Sequence, residues 1–431
     1  MEIKPFCGWR FVTESGDVSD LIAPPYDVIT PAQKQALLLR NSSNIVAVDL
    51  PHAPADCLGP DELYRDAAER LEKWKSSGIL MQDETPAIYG YEQRFNWAGK
   101  DYIRRSIICC VRATEFSRDI IPHEKTFAGP KADRLKLTQE TRMQLSPIFG
   151  FYDDPDRAVS RLLEKVMDKK PDATARIEQV DERLWVITDS EIINSIISTL
   201  EDVPLFIADG HHRYTTALEY RRLLGKLPPE HPANFVMFAL TATDDPGLLI
   251  LPTHRIITGL NGFDFDQFVR ETSGLMEYES IKINDVDIRD ADRFLEPFGA
   301  GAMAFIARSG AGVVGRVKDA AAVERLLQGR NPVLAQLDTV VLHEVIIARH
   351  LKRYWTDDTR IDYTADTLEA LSRISASESR PSGDSADLVV LLQGTPIEKV
   401  KQIALAGESM PHKSTYFYPK ISTGMVLYSL E

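Results

Sequence analysis

Cysteine is scarce in this chain of 431 residues: there are four, at positions 7, 57, 109 and 110. No Cys-x-x-Cys pair occurs, which argues against thiolate zinc and dithiol redox sites. Cys109 and Cys110 are neighbours in a strand-like run, so they are expected on opposite faces as reduced packing residues. Long apolar runs are missing as well. No stretch approaches the roughly 18–20 residues of a membrane span, and the opening MEIKPFCGWR has no apolar signal core. The chain is therefore expected to work in the cytoplasm without a membrane partner. Basic charge is in deficit, with 50 Lys and Arg against 64 Asp and Glu and a formal net charge of -14. A general nucleic-acid binder presents a basic surface, so nucleic acid is not an expected partner. A local basic cleft for a small anion is still compatible with an acidic chain. The Walker pattern G-x-x-x-x-G-K-[ST] is absent, which excludes a P-loop NTPase.

What is present is ordinary globular composition, 44% hydrophobic and 26% charged, long enough to bury a core without staples. The pattern predicts strands at 44–50, 147–152, 203–208, 234–241, 248–251, 388–392 and 425–430. A hairpin is predicted from 87–95 and 102–111 around Gly99, and a second strand pair, 175–180 and 184–188, turns at Asp181-Glu182. Helices are predicted at 61–77, where Leu63, Ala67, Leu71 and Trp74 share a face, and at 157–167, 191–200 and 337–351. Residues 375–386 are loop-like. The fold class is α+β with mixed sheets, and the domains are expected at 1–255 and 256–431.

The most informative segment is Leu205–Leu218, LFIADGHHRYTTAL. An apolar strand meets Asp209-Gly210-His211-His212-Arg213 and then a helical pattern. A helix start exposes N–H groups and a positive dipole end, glycine permits a sharp turn and close ligand approach, and Arg213 offers a planar fork for phosphate. Asp209 could orient a histidine or cap the helix. Adjacent histidines do not share a helix face as metal ligands do, so no metal site is expected.

Ile121–Phe127 sets His123, Glu124, Lys125 and Thr126 in succession; Glu124 suits a general base and Lys125 can balance phosphate charge. From 121 to 142 there are five basic and three acidic residues. Ala23–Ile29 holds Tyr26 and Asp27 beside two rigid prolines. Leu251–Arg255 adds His254 and Arg255. Met410–Lys420 is basic, with His412, Lys413, Ser414, Thr415 and Lys420. Gly310–Gly315 spells G-x-G-x-x-G, but Val313, Val314 and Val317 read as a returning strand, so a hairpin is expected there and not a dinucleotide site.

In order, PFCGWR, APPYDVI, IPHEKT, LFIADGHHRYTTAL, LILPTHR and MPHKSTYFYPK resemble the conserved bacterial and archaeal family known as domain of unknown function 1015, over almost the whole chain. IADGHHRYTTAL also resembles the glycine-turn-helix box of ParB-type nucleotidases, sulfiredoxins and free serine kinases, in which it cradles nucleotide phosphates. IPHEK resembles the Pro-His-Glu segment of the free serine kinases, whose glutamate is the catalytic base. The resemblance implies a ParB/sulfiredoxin-like core, with Glu124 as base and His212 beside it. It also implies that Gly210, His211, His212 and Arg213 hold the phosphates, with Asp209 and Lys125 in the same site. Tyr26, Asp27, His254, Arg255, His412, Lys413 and Ser414 are candidates for a substrate site. The expected activity is transfer of phosphate from ADP or ATP, with Mg²⁺, to a small hydroxyl compound such as serine. The alternative is a nucleotide-responsive binding module in which Glu124 is incidental. A hydrolase or isomerase acting on a phosphorylated metabolite is a third reading. In each, the partner is a small anionic or phosphorylated molecule; the oligomeric state is not legible.

Overall fold

The computed structural model describes residues 1–53, 55, 57–116, 119–124, 128–282, 288–374, 385–411 and 413–431, with the backbone alone at 128–130 and 282. The chain forms two compact units, 1–249 with 419–431, and 250–418. The division falls at 249/250 where the sequence suggested 255/256, and the final segment belongs to the first unit.

The first unit is built on a nine-stranded sheet. Its strands are β1 (Ile3–Lys4), β2 (Ile88–Trp97), β3 (Lys100–Arg112), β4 (Ile120–Ile121), β5 (Ile148–Tyr152), β6 (Ala173–Ile177), β7 (Val180–Ile187), β8 (Leu205–Asp209) and β9 (Phe235–Ala242). They run in the order β4-β8-β5-β9-β3-β2-β7-β6, with β1 on β3. The sheet is mixed: β4–β8 and β5–β9 are parallel, the other pairs antiparallel. Ala98 and Gly99 both take positive φ, at 51° and 79°, the backbone a tight hairpin requires. Every residue of β9 is buried, as a central strand covered on both faces should be.

The longer helices of this unit are α1 (Pro31–Arg40), α2 (Asp61–Ser76), α3 (Ala128–Thr141), α4 (Ala158–Met167), α5 (Ser190–Leu200) and α6 (His211–Leu223). Thr30 and Gln33 close a capping box at α1. Val159 and Leu163 of α4 and Ile193 and Ile196 of α5 cover one face of the sheet together with Cys109 and Phe238. α3 packs against α2 and α6. Both Cys109 and Cys110 are buried thiols.

The second unit carries β10 (His254–Thr258), β11 (Met276–Lys282), β12 (Met303–Ala307), β13 (Ala311–Val317), β14 (Arg360–Thr364) and β15 (Leu388–Leu391). This sheet runs β11-β13-β12-β15-β10-β14, and all its pairs are antiparallel. Gly310 turns between β12 and β13 with φ 80°, so the G-x-G-x-x-G string is a hairpin. Residues 341–351 form a π-helix. Among the described residues no helix is long and apolar enough to cross a membrane.

Three local expectations are corrected. Residues 44–50 are not a strand; Val46–Asp49 is a short helix. Asn44 decides this, because its Oδ1 accepts from Val46 N while its amide donates to the carbonyls of Asp20 and Ile22 at 2.9 and 2.8 Å. Asp181-Glu182 is not a turn. The chain reverses at Glu178, with φ 52°, and Glu182 is buried within β7. In 425–430 only Tyr428–Ser429 pairs as strand, with Met143–Gln144.

Candidate anion site at the start of helix α6

β8 brings four buried apolar residues, Leu205 to Ala208, to the sheet edge, where the strand ends at Asp209. Gly210 turns the chain with φ 93° and ψ 25°, and among the described residues no side chain caps α6. That conformation is cheap only for glycine. A Cβ there would also meet the Arg213 guanidinium at 2.9–3.1 Å. Arg213 thus folds back over the turn. Its Nη1 donates to Ser146 Oγ at 3.0 Å and to the Pro147 carbonyl at 2.6 Å, and its Nη2 pairs with Asp209 Oδ2 at 2.9 Å.

Asp209 has a second cation. Lys420 Nζ lies 2.5 Å from Asp209 Oδ1. Burial alone would raise the Asp209 carboxyl, but Lys420 and Arg213 outweigh it and hold the group well below the usual carboxylate range. One acid thus stands between two bases at the positive end of a helix dipole.

The parallel pairing of β4 with β8 sets Ile120 beside Leu205 and Ile121 beside Phe206. Two parallel strands end at the same edge of a sheet, so Pro122, His123 and Glu124 continue alongside Ile207 to Asp209. His123 Nδ1 donates to the Ile207 carbonyl at 2.8 Å, and His123 N donates to His211 Nε2 at 3.3 Å. The two rings meet edge to face with centroids 4.8 Å apart. Burial lowers His123 to about 4 and His211 well below the usual histidine value. Both imidazoles are therefore neutral at pH 7. The bond from His123 N assigns His211 Nε2 as the acceptor. His211 thus anchors the backbone at His123, and Glu124, the next residue, is half-buried.

His212 is also half-buried. Burial lowers its pKa most, Asp27 and Asp209 oppose that, and Lys131 and Arg213 add to it. Asp27 is exposed at the surface, whereas Tyr26 is buried. The Arg134 guanidinium lies 4.1 Å from the Tyr26 ring centroid, and burial pushes the Tyr26 hydroxyl above its usual range. Tyr26 and Arg213 line one cavity, which brings the 23–29 and 209–213 segments together.

Lys125 and His412 lie outside the described residues. His254, Arg255, Lys413 and Ser414 belong to the second unit. There His254 is buried, with Nε2 at 3.1 Å from Thr367 Oγ1 and Nδ1 accepting from Leu392 N. Arg255 is buried and donates to His343 Nε2 at 3.0 Å and to the Lys413 carbonyl at 3.1 Å. Ser414 Oγ donates to the Pro411 carbonyl at 2.7 Å.

The residue sequence reasoning left unassigned is Lys420. It was visible as the last base of MPHKSTYFYPK, but no spacing rule separates it from Lys413. Its position is set by buried polar groups on the sheet. Arg104 Nη2 donates to the Pro419 carbonyl at 2.6 Å, and Gln93 Nε2 donates to the Lys420 carbonyl at 3.0 Å. Ser422 Oγ donates to Glu182 at 2.5 Å.

These units define an α+β protein with one large mixed sheet and one antiparallel sheet, where the sequence suggested mixed sheets. The family described as "Protein of unknown function (DUF1015)" matches residues 3–340, and the chain belongs to that family. No curated protein matches it. Among solved structures it is similar to a conserved hypothetical protein from Pyrococcus furiosus, at 13% identity and a TM-score of 0.36, covering 75% of this chain and 95% of that one. It is also similar to a free serine kinase in complex with AMP, at 13% identity and a TM-score of 0.33, covering 74% and 92%. A third is SbnI with C-terminal truncation from Staphylococcus aureus, at 10% identity and a TM-score of 0.32, covering 74% and 85%.

Proposed function

We propose that the start of α6 binds the phosphates of a nucleotide, ADP or ATP, and that the bound nucleotide donates a phosphoryl group to a small hydroxyl compound such as serine. The observation that carries this reading is Asp209 held between Arg213 and Lys420 at a glycine-opened helix start that no side chain among the described residues caps. Such a start offers N–H groups and a positive dipole to an anion. The likeness of IADGHHRYTTAL to a nucleotide-phosphate box, noted from the sequence, supports a nucleotide over a bare anion.

In this reading the backbone N–H groups of His211, His212 and Arg213 meet the phosphate oxygens. Arg213 stays tied to Ser146 and Pro147 and fixes Asp209; Lys420 supplies the charge that faces the ligand. Glu124, the residue after His123, accepts the acceptor's hydroxyl proton. The acceptor oxygen then bonds to phosphorus as the bridging bond to the leaving nucleotide breaks. Neutral His212 donates a hydrogen bond without competing for Lys420's role as the local charge. Among the described residues no three His, Cys, Asp or Glu side chains converge as a metal cage. Mg²⁺ would therefore arrive on the phosphates, its usual mode with nucleotides.

Isothermal titration of the whole chain with ADP, ATP, CTP and GTP, with and without Mg²⁺, tests this directly. Saturable binding of at least one nucleotide is expected; no heat from any of them at millimolar concentration overturns the reading.

A further inference from the structure

A cavity lies in the first unit along α6 and shares Tyr26, Ser146 and Arg213 with the cluster described above. Its volume is about 60 Å³, more than the roughly 10–15 Å³ a single water needs. It therefore has room for a small organic molecule. Most of its wall is apolar, including Leu137 of α3, Leu145, Ile148 of β5, Ala217 of α6 and Val236 of β9. Its polar lining includes Tyr26, Asp49, Arg134, Ser146, Arg213 and Thr216.

Two of those polar groups are under-used. Thr216 is 4% exposed, and its Oγ1 has no hydrogen-bond partner among the described residues. Its neighbour Thr215 does what a helical threonine ordinarily does, donating back to the carbonyls of His211 and His212. Thr216 forgoes that bond. A buried hydroxyl without a partner calls for an explanation.

Asp49 is the second. Arg134 pairs tightly with Asp133, at 2.6 Å from Nη2 and 2.7 Å from Nε. Its contact with Asp49 Oδ1 is longer, at 3.3 Å. The other Asp49 oxygen reaches Thr423 Oγ1 at 3.4 Å. Burial pushes the Asp49 carboxyl up, as expected of an acid whose partners are this loose.

We infer that this cavity is a binding site for a small aliphatic alcohol, its hydroxyl donating to Asp49 and accepting from Thr216 and its carbon chain among Leu137, Leu145, Ile148 and Val236. A hydroxyl is donor and acceptor at once, so one ligand oxygen answers both groups. An ammonium head would stand beside the guanidinium groups of Arg134 and Arg213. A carboxylate head would face Asp49 and find both guanidinium groups already engaged by acids. The alcohol brings no charge into a wall that already holds Asp49, Arg134 and Arg213. The inference does not need the phosphoryl-transfer reading: alcohol binding is measured without nucleotide, and its failure leaves nucleotide binding untouched.

Saturation-transfer NMR titrations of the intact chain with 1-propanol, 2-methyl-1-propanol and 1-butanol test it, with isobutylammonium and isobutyrate as charged counterparts. At least one alcohol should bind saturably and more tightly than either ion. Thr216→Val should weaken that alcohol about tenfold without lowering Tm, because it removes an unpaired hydroxyl and keeps the shape. Ala217→Phe, which fills the cavity, should abolish the transfer. If Ala217→Phe does not fold by circular dichroism, Thr216→Val decides alone. The inference is overturned if no alcohol binds saturably, if an ion binds better, or if Thr216→Val leaves the alcohol's affinity unchanged.

Discussion

Lys420 Nζ lies 2.5 Å from Asp209 Oδ1 although 211 residues separate them. The second unit, 250–418, is inserted in that interval. The chain re-enters the first unit at Pro419, and the next residue is the one that reaches Asp209. The cation of the candidate phosphate site is thus supplied by the segment directly after the insertion.

Removing that cation tests its role. Lys420→Met keeps much of the aliphatic stem and deletes the charge. Nucleotide affinity measured by calorimetry should fall about tenfold to a hundredfold, the size of one charge-assisted contact. Lys420→Arg should recover part of it. Unchanged affinity in Lys420→Met would remove Lys420 from the site.

The segment that delivers Lys420 depends on Gln93, which donates to the Lys420 carbonyl and accepts from Arg104. Gln93→Leu leaves both of those buried groups short of a partner. It should destabilise the first unit by about 2–4 kcal/mol in a denaturant titration and weaken nucleotide binding in parallel. Lost stability with intact binding would show that Lys420 does not need this anchorage.

Gly210→Ala places a side chain where φ is 93° and where the Arg213 guanidinium already sits. The backbone cost alone is about 1–2 kcal/mol, visible as a lowered Tm. Displacing Arg213 from Ser146 and Pro147 adds to it.

His123 gives the site a pH dependence. Burial lowers its folded pKa to about 4, against about 6.5 when unfolded. Above 6.5 both states are neutral and the histidine costs nothing. As pH falls from 6.5 to 4 the unfolded state takes up the proton and the folded state does not, so stability is lost across that window. The loss is about 3 kcal/mol at most. His123→Asn keeps an N–H for the Ile207 carbonyl and cannot titrate, so its stability should fall less steeply between those pH values. Parallel slopes for the two proteins would contradict the buried, neutral histidine.

Much of this architecture was legible in the sequence. The 203–208 strand, the turn at Gly210 and the helix beyond it arise from an apolar run, a glycine and helical spacing, all local signals. The hairpin at Gly99 and the rejection of Gly310–Gly315 as a dinucleotide fingerprint rest on the same grounds. What escaped was set by distant partners. Arg213 reads as a free phosphate fork until Ser146 and Pro147, 67 and 66 residues earlier, take one of its nitrogens. Glu182 reads as a turn acid because nothing nearby shows that Gln93 and Ser422 hold it inside the sheet. Lys420 could be told from Lys413 only by knowing which base returns to the first unit.

The most direct test of the central claim is a paired measurement on Glu124→Gln. Nucleotide affinity is read by calorimetry and phosphoryl transfer with labelled ADP or ATP and a panel of small hydroxyl compounds that includes serine. The account predicts that the variant binds nucleotide within about twofold of the wild type while transfer falls by at least a hundredfold, the contribution of a positioned general base. Transfer at the wild-type rate in Glu124→Gln would contradict it, as would a wild-type protein that binds nucleotide and transfers nothing to any acceptor.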